Sequence, residues 1–480
     1  MSVSAPWSVA AMTAVMGAEC TGPLPEFVTG ISIDSRTIQR GEAFFAIAGD
    51  ARDGHDFVAA ALAAGAGLAV VARGKRDIMP ANAPLMAVPD VLAALTDLAQ
   101  ASRARSNARI VAVTGSVGKT GTKEALRLAL GQCGVTHASV ASYNNHWGVP
   151  LSVARMPANT QFAVFEIGMN HAGEITPLTR LVRPHVAVVT AVEPVHLEHF
   201  GSLEAIADAK AEIFLGLAPG GAAIINRDNS QYERLKRAAA SAGARIVSFG
   251  EHAEADARVL KMSLQAESSG VEARILGAEL TYKLGAPGRH VVLNSLAVLA
   301  AASLAGADLA LAGLALAGLE PPTGRGQRIA LSLTGGGNAL LIDESYNANP
   351  ASMRAALALL GQAHIGSDGR RIAVLGDMLE LGEASAELHR GLVEPVLAND
   401  IDLVFCAGPL MKALWDALPS ERRGGYAESA AALEAQVVGA IADGDAMMVK
   451  GSLGSKMGPI VKALTRRYRR RTPEEASAQG

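Results

Sequence analysis

The run T-G-S-V-G-K-T at 114–120 constrains this chain more than any other stretch, because it suits one place in one kind of fold. It follows the apolar segment 110–113 and precedes a helix-like stretch from Thr120. A strand that ends in a glycine-rich turn and opens a helix aims several backbone N–H groups and a positive dipole end at one point, where a phosphate can sit. In that geometry Gly115 and Gly118 let the backbone pass close to the phosphates, Lys119 neutralises the outer ones, and the Thr120 hydroxyl holds magnesium. Thr114, Ser116 and Val117 complete the loop. The common motif places glycine at 113, where this chain has Val113. The loop points to a nucleoside triphosphate, against the plain alternative of a glycine-rich turn with a surface lysine, and leaves the reaction open.

A chain of 480 residues has room for about three domains. Its 43 basic and 46 acidic side chains leave a net charge of -3, which gives no support to nucleic-acid binding by the body of the protein. Cys20, Cys133 and Cys406 are too far apart for a disulfide framework or a zinc spacing, as expected of a reducing cytosol. The amino terminus lacks the basic and small-residue pattern of a signal peptide. Residues 296–319 are apolar and long enough to span a bilayer, but Asp308 near the middle and Gly306, Gly313 and Gly318 predict two alanine-rich helices in a packed core instead.

Residues 1–105 read as a small α/β domain, with strands near 44–47, 68–71 and 86–88 and a helix at 57–64. Within it Asp34, Ser35 and Arg36 follow an alternating strand and could hold a phosphorylated ligand, or form a structural ion pair. A polar, basic stretch at 102–108 suits a linker. Residues 106–326 repeat strand and helix units, with strands at 109–113, 162–167 and 186–192, so the sheet is expected to be mainly parallel with its ligand at the carboxyl ends. Glu166 ends one strand, where it can bind magnesium. His196 and His199 follow another, and spacing alone does not separate them as ligands. Lys210 lies on a helix among small residues. The segments at 285–297 and 321–328 join glycine-rich turns to Asn294 and Arg325, groups that contact nucleotides. Residues 327–463 read as a third α/β unit, with strands at 340–342, 371–375, 401–406 and 446–449 that break into Gly, Asp or Asn as in a doubly wound sheet. The basic run from 464 to 480 reads as a disordered tail.

Taken together, T-G-S-V-G-K-T, E-I-G-M-N-H-A-G-E-I, H-L-E-H-F-G-S, D-A-K-A-E-I, A-P-G-R-H-V-V-L-N-S-L-A, D-E-S-Y-N-A-N-P-A-S-M and L-G-D-M-L-E-L-G resemble the Mur ligases of peptidoglycan synthesis over nearly the whole chain. Valine before the phosphate loop fits that family's own pattern. E-S-Y-N-A-N-P and L-G-D-M-L-E-L-G look like the branch that joins D-alanyl-D-alanine to UDP-N-acetylmuramoyl-tripeptide, and the D-N-P-R run of the diaminopimelate-adding branch is absent.

The resemblance implies an amino-terminal domain for the UDP-sugar, a central P-loop ATPase with a mainly parallel sheet, and a carboxy-terminal Rossmann-like domain that brings in the amino compound and closes over ATP. It implies a cytoplasmic, monomeric ligase that uses ATP and two magnesium ions. Lys119 would contact the outer phosphates, with Thr120, Glu166 and His196 on metal and Lys210 carried as a carbamate. Asn294, Arg325, Asp343 and Tyr346 match nucleotide-contacting positions. Asp34, Ser35, Arg36, Asn144 and Asn145 are the expected substrate contacts, although Y-N-N-H-W at 143–147 departs from the family pattern. Two other readings share the ATPase centre: a folylpolyglutamate synthase, which lacks this amino-terminal domain, and a nucleotide-binding regulator without catalysis, which would have little reason to keep Glu166, His196 and Lys210.

Overall fold

Parallel strands need long crossovers, and the alternation of short apolar runs with helices supplies them in all three parts of the chain. The computed structural model describes residues 7–49, 52–140, 142–195, 197–333 and 336–468. It is an α/β molecule built on three main sheets. The first has five strands in the order Glu19–Thr21, Leu85–Val88, Leu68–Ala72, Ala43–Phe45 and Ile31–Ser32, parallel except for its first strand.

The central sheet has nine strands. From Ala257–Leu264 through Arg245–Gly250, Ala222–Asn226, Val186–Val189, Arg109–Thr114 and Phe162–Glu166 to Thr136–Ala138 they are parallel. Ser269–Ile275 and Ala278–Leu284 extend it antiparallel. The third sheet runs Gln327–Ser332, Asn338–Glu344, Ala446–Lys450, Arg371–Gly376, Leu403–Ala407 and Arg423–Ala427, with only the first strand antiparallel.

The residues at 296–319 fold as the helices Arg289–Leu304 and Leu309–Ala315. The Asp308 carboxylate caps the second by accepting from Leu311 N–H, which explains a charge inside so apolar a run. No helix among the described residues is long and apolar enough to cross a membrane. The final helix, Gly458–Arg467, carries the chain into its basic run, and Tyr468 is buried with its hydroxyl on Val438 O. The start of that run is therefore packed, while 469–480 lies outside the described residues.

One apolar core is common to the first two sheets. Trp7, Met12, Leu95 and Leu98 pack in the same cluster as Val149, Phe165 and Phe214. Trp7 Nε1 donates to Ala154 O at 3.0 Å and Arg155 Nε to Ile31 O at 2.6 Å across the junction. The polar stretch at 102–108 belongs to this junction and begins inside the helix Val91–Ala104. Ser102 is buried there, and the Arg103 guanidinium donates to Val182 O, Ser106 O and Arg183 O. Two of those carbonyls end the helix Ile175–Val182, so Arg103 supplies donors that the helix lacks. The third sheet has two cores of its own, one on each face.

His185 marks the amino-terminal edge of the central sheet. Its Nδ1 accepts from Ile110 N–H at 3.0 Å, which requires an unprotonated nitrogen. Burial, followed by the charges of Arg109 and Arg103, pulls its pKa down to about 4. The unfolded chain therefore takes up this proton near pH 6.5 while the folded chain resists until about 4. Stability is full above 6.5 and declines as pH falls through that window. With solvent screening allowed for, the loss is about 1 to 2 kcal/mol. A His185→Asn variant, which keeps an acceptor for Ile110, should lose that much less than the wild type between pH 6.5 and 4 in urea titrations. Equal acid slopes would remove His185 as the cause.

Candidate active site

Register brings the functional loops together. Glu166 pairs with Val113 and Val189 with Thr114, so the ends of three neighbouring parallel strands meet at the phosphate loop. The helix Lys119–Gly131 starts there, with Gly118 in the left-handed region at φ 82°. A Cβ at Gly118 would lie 2.5 Å from Asn294 Nδ2, and one at Gly115 (φ 149°) would lie 2.0 Å from Thr190 Oγ1. These glycines are thus required by the neighbours that crowd the loop, as well as by any phosphate that enters it.

Thr190 holds the loop from below. Its hydroxyl donates to Val117 O at 2.6 Å, its N–H donates to Thr114 O, and Ser116 N–H reaches Ala191 O. Ser116 Oγ closes the set by accepting from Glu193 N–H and donating to Glu193 O. Asn226 Nδ2 reaches Thr190 O and Asn229 Nδ2 reaches Val192 O, which ties the next strand end into the same frame. The sequence reading missed these groups. Their signal was present: Thr190 and Asn226 are the polar residues met where apolar parallel strands end.

Glu166 is fully buried, with 0% exposure. Thr120 Oγ1 donates to its Oε2 at 2.9 Å and Asn144 Nδ2 to its Oε1 at 2.7 Å. Lys119 folds back on its own loop, donating to Gly115 O at 2.6 Å. Burial lowers the Lys119 pKa; Glu166 opposes that shift and Arg325 adds to it. Lys210 is 2% exposed, and its side-chain amine has no hydrogen bond or ion pair among the described residues. Burial, then the nearby charge of Lys119, holds its amine well below the usual lysine range. His196 lies outside the described residues. His199 is exposed and packs against His171 with the rings tilted and their centres 4.8 Å apart.

A cavity of about 620 Å³ opens beside these groups, between the central and third sheets. Lys119, Asn144, Asn145, Glu166, Asn294 and Arg325 line it from the phosphate-loop side, and Glu344, Tyr346, Asn347 and Lys450 from the other. The Arg325 guanidinium stacks 4.3 Å over the Tyr346 ring and reaches Ser142 Oγ at 3.3 Å, so one side chain bridges both walls. Asp343 does not line the cavity: its carboxylate accepts from Ser345 N–H and Oγ, and its neighbour Glu344 takes the facing position. Lys450, 1% exposed, pairs with Glu344 at 3.1 Å and was not foreseen.

The amino-terminal segment lies apart from this cavity. Asp34 and Arg36 form a bidentate pair at 2.9 and 2.7 Å, the structural alternative weighed for them, and Arg36 holds the Asp34 carboxyl below its usual range. Ser35 does not line the cavity either.

Among the described residues no group of three His, Cys, Asp or Glu side chains could hold a metal. Thr120 and Glu166 nevertheless offer hard oxygen donors side by side beneath the phosphate loop, which suits magnesium.

Three family models match the chain: "Mur ligase family, catalytic domain" over residues 27–103, "Mur ligase middle domain" over 113–302 and "Mur ligase, glutamate ligase domain" over 324–453. The UDP-N-acetylmuramoyl-tripeptide–D-alanyl-D-alanine ligase of Rickettsia prowazekii is 31% identical over 456 residues, covering 95% of this chain and 99% of that one. The crystal structure of MurF from Acinetobacter baumannii superposes with a TM-score of 0.82 at 29% identity, covering 96% of this chain and 99% of that one. The MurF ligase from Thermotoga maritima in complex with ADP gives 0.74 at 25% identity, covering 91% and 97%.

The crowding around the loop is testable. Gly115→Ala should weaken ATP binding at least tenfold in calorimetry, because the new methyl group meets the Thr190 hydroxyl and the backbone is strained as well. Gly131→Ala, where a Cβ meets nothing within 4 Å, should leave ATP affinity within twofold. Equal affinities in both variants would show that Thr190 does not fix the loop.

Proposed function

The chain belongs to the Mur ligase family, and on that premise we propose that it is the ATP-dependent ligase that joins D-alanyl-D-alanine to UDP-N-acetylmuramoyl-tripeptide. One observation carries this reading: the relative of that name matches along almost its full length, and the phosphate loop and Glu166 line one wall of the cavity. We assign residues 1–105 to the UDP-sugar, 106–326 to ATP and 327–463 to the incoming dipeptide, with Asp34, Ser35 and Arg36 on the UDP-sugar side. The reaction belongs in the cytoplasm, and we take the enzyme to be a monomer.

A carboxylate is a poor acyl donor because oxide would have to leave. Its oxygen attacks the γ-phosphorus of ATP, the bond from that phosphorus to the bridging oxygen breaks, and ADP departs to leave an acyl phosphate. The dipeptide amine then attacks the acyl carbon. The tetrahedral intermediate expels phosphate as the amine loses its proton, and an amide remains. Lys119 swings from Gly115 O to the transferring phosphoryl group, and Asn294 and Arg325 fix the nucleotide. Catalysis is mainly positioning and electrostatics. Thr120 and Glu166, with His196, would hold magnesium, which neutralises phosphate charge when bound.

Burial and Lys119 favour a neutral Lys210 amine, the form that adds to carbon dioxide. The nitrogen bonds to the carbon and a proton goes to solvent, leaving a carbamate anion beside Lys119. A repulsive pair thereby becomes an attractive one, and an anion suited to a second magnesium ion is placed in the site.

With UDP-N-acetylmuramoyl-tripeptide and ATP, phosphate release should require D-alanyl-D-alanine and fail with single amino acids. Lys119→Ala should lower it at least a thousandfold with the fold kept by circular dichroism. Release with single amino acids would send the acceptor assignment back to the other branches of the family. Separately, ¹³C-bicarbonate should give a carbamate resonance that Lys210→Ala lacks, and a short carboxylic acid should restore part of that variant's activity. A fully active enzyme with an unmodified Lys210 would remove the carbamate.

A further inference from the structure

The turn K-G-S-L-G-S-K-M at 450–457 runs on from the cavity-lining Lys450 and, with the segment after the strand Arg371–Gly376, leaves two large apolar side chains in solvent. Leu453 is 66% exposed and Leu379, at the end of the neighbouring strand, 39%. Leu379 packs directly on the turn that carries Leu453. A Cβ at Gly454 would stand 2.7 Å from Leu379 Cδ1. Gly376 and Gly451 admit Ser455 and Met457 so closely that a Cβ on either would meet them within 2.8 Å. Leu379 N–H donates to Ser452 Oγ at 3.0 Å, and Ser452 Oγ reaches Ala348 O, between the cavity-lining Asn347 and Asn349.

The same turn ends on Lys456, an exposed lysine with no ion pair or side-chain hydrogen bond among the described residues. It sits at φ 55°, ψ 43°, left-handed backbone that glycine adopts freely and a lysine does not. Glycine would suit the turn better, so the chain keeps a cation there against its backbone preference. Next to Leu379 in the chain, Glu380, also left-handed at φ 62°, offers its carbonyl to Glu198 N–H of the central part at 3.4 Å. The patch therefore faces the loop that follows the strand Val186–Val189.

We propose that Leu379, Leu453 and Lys456 form the acceptor subsite, with the leucines receiving the methyl groups of the dipeptide and Lys456 its carboxylate. This rests on the function proposed above and deepens it by naming what selects the acceptor. A D-alanyl-D-alanine molecule carries two small apolar groups and an anionic end, and spans about 7 Å when extended. Bound by that end at Lys456, it points its amine back toward the cavity, where the acyl carbon is attacked. The leucines set the preference for methyl over hydrogen, and the lysine sets the requirement for a free carboxylate.

Lys456→Gly separates this role from a structural one, because it removes the charge and relaxes the backbone together. Its melting temperature should match or exceed that of the wild type. Its KM for D-alanyl-D-alanine should rise at least tenfold, with the KM values for ATP and the UDP-tripeptide within twofold of wild type. Lys456→Arg should recover most of the loss. D-alanyl-D-alaninamide, which lacks the carboxylate, should show the same raised KM with both enzymes. Replacing Leu379 and Leu453 together by alanine should narrow the preference for D-alanyl-D-alanine over diglycine at least fivefold. An unchanged acceptor KM in Lys456→Gly, or an equal rise for all three substrates, would overturn the subsite. A wild-type enzyme that releases no phosphate with the dipeptide would instead overturn the underlying function.

Discussion

A carboxylate with no solvent exposure is among the most demanding groups a fold can carry, and Glu166 is one. Its burial without partners would cost several kcal/mol. Two donors offset that: the Thr120 hydroxyl from the first turn of the helix after the phosphate loop, and the Asn144 amide from the Y-N-N-H-W segment. Each also has a place in the site, so the arrangement that makes the charge tolerable is the one that joins loop, strand end and substrate approach. The family pattern at 143–147 differs from this chain in neighbouring side chains, yet Asn144 keeps a defined task, and Gly168 N–H fixes its backbone by donating to Asn144 O.

The same economy recurs around the phosphate loop. Thr190 fills the space against Gly115 and Asn294 the space beside Gly118, so residues from distant parts of the chain set the loop's shape before any nucleotide arrives. Preorganisation of this kind lowers the reorganisation required when charge develops during phosphoryl transfer. Lys119, folded onto Gly115 O, is the member of the group that must move.

Much of this was legible in the sequence because it depends on local order. Strand, glycine-rich turn and helix are contiguous from 109 to 131, and the alternation that marks parallel sheets was clear in all three parts. What escaped notice depends on the third dimension. The strands Ala257–Leu264, Ser269–Ile275 and Ala278–Leu284 expose one face to water, so they lack the continuous apolar runs that revealed the buried strands. Arg103 looked like part of a solvated linker because nothing nearby in sequence shows the helix end whose carbonyls it satisfies. Asp343 and Glu344 are adjacent, and only the turn at Ser345 decides which carboxylate faces the cavity. Lys210 drew attention through family resemblance alone; the structure adds the physical reason, an enclosed amine with a second cation close by.

The single core common to the first two sheets has a consequence for how the parts of the molecule depend on one another. Residues 7–326 cannot be divided without exposing Trp7, Leu95 and Phe165 together, whereas the third sheet closes both of its faces by itself and is joined through Gly324 and Gly326, both at positive φ. The three domains are therefore unequally joined, the first two through a common apolar core and the third with cores of its own. On the assignment proposed above, the part that would receive the acceptor keeps its packing to itself, while the parts that would hold the sugar nucleotide and ATP depend on one another for theirs.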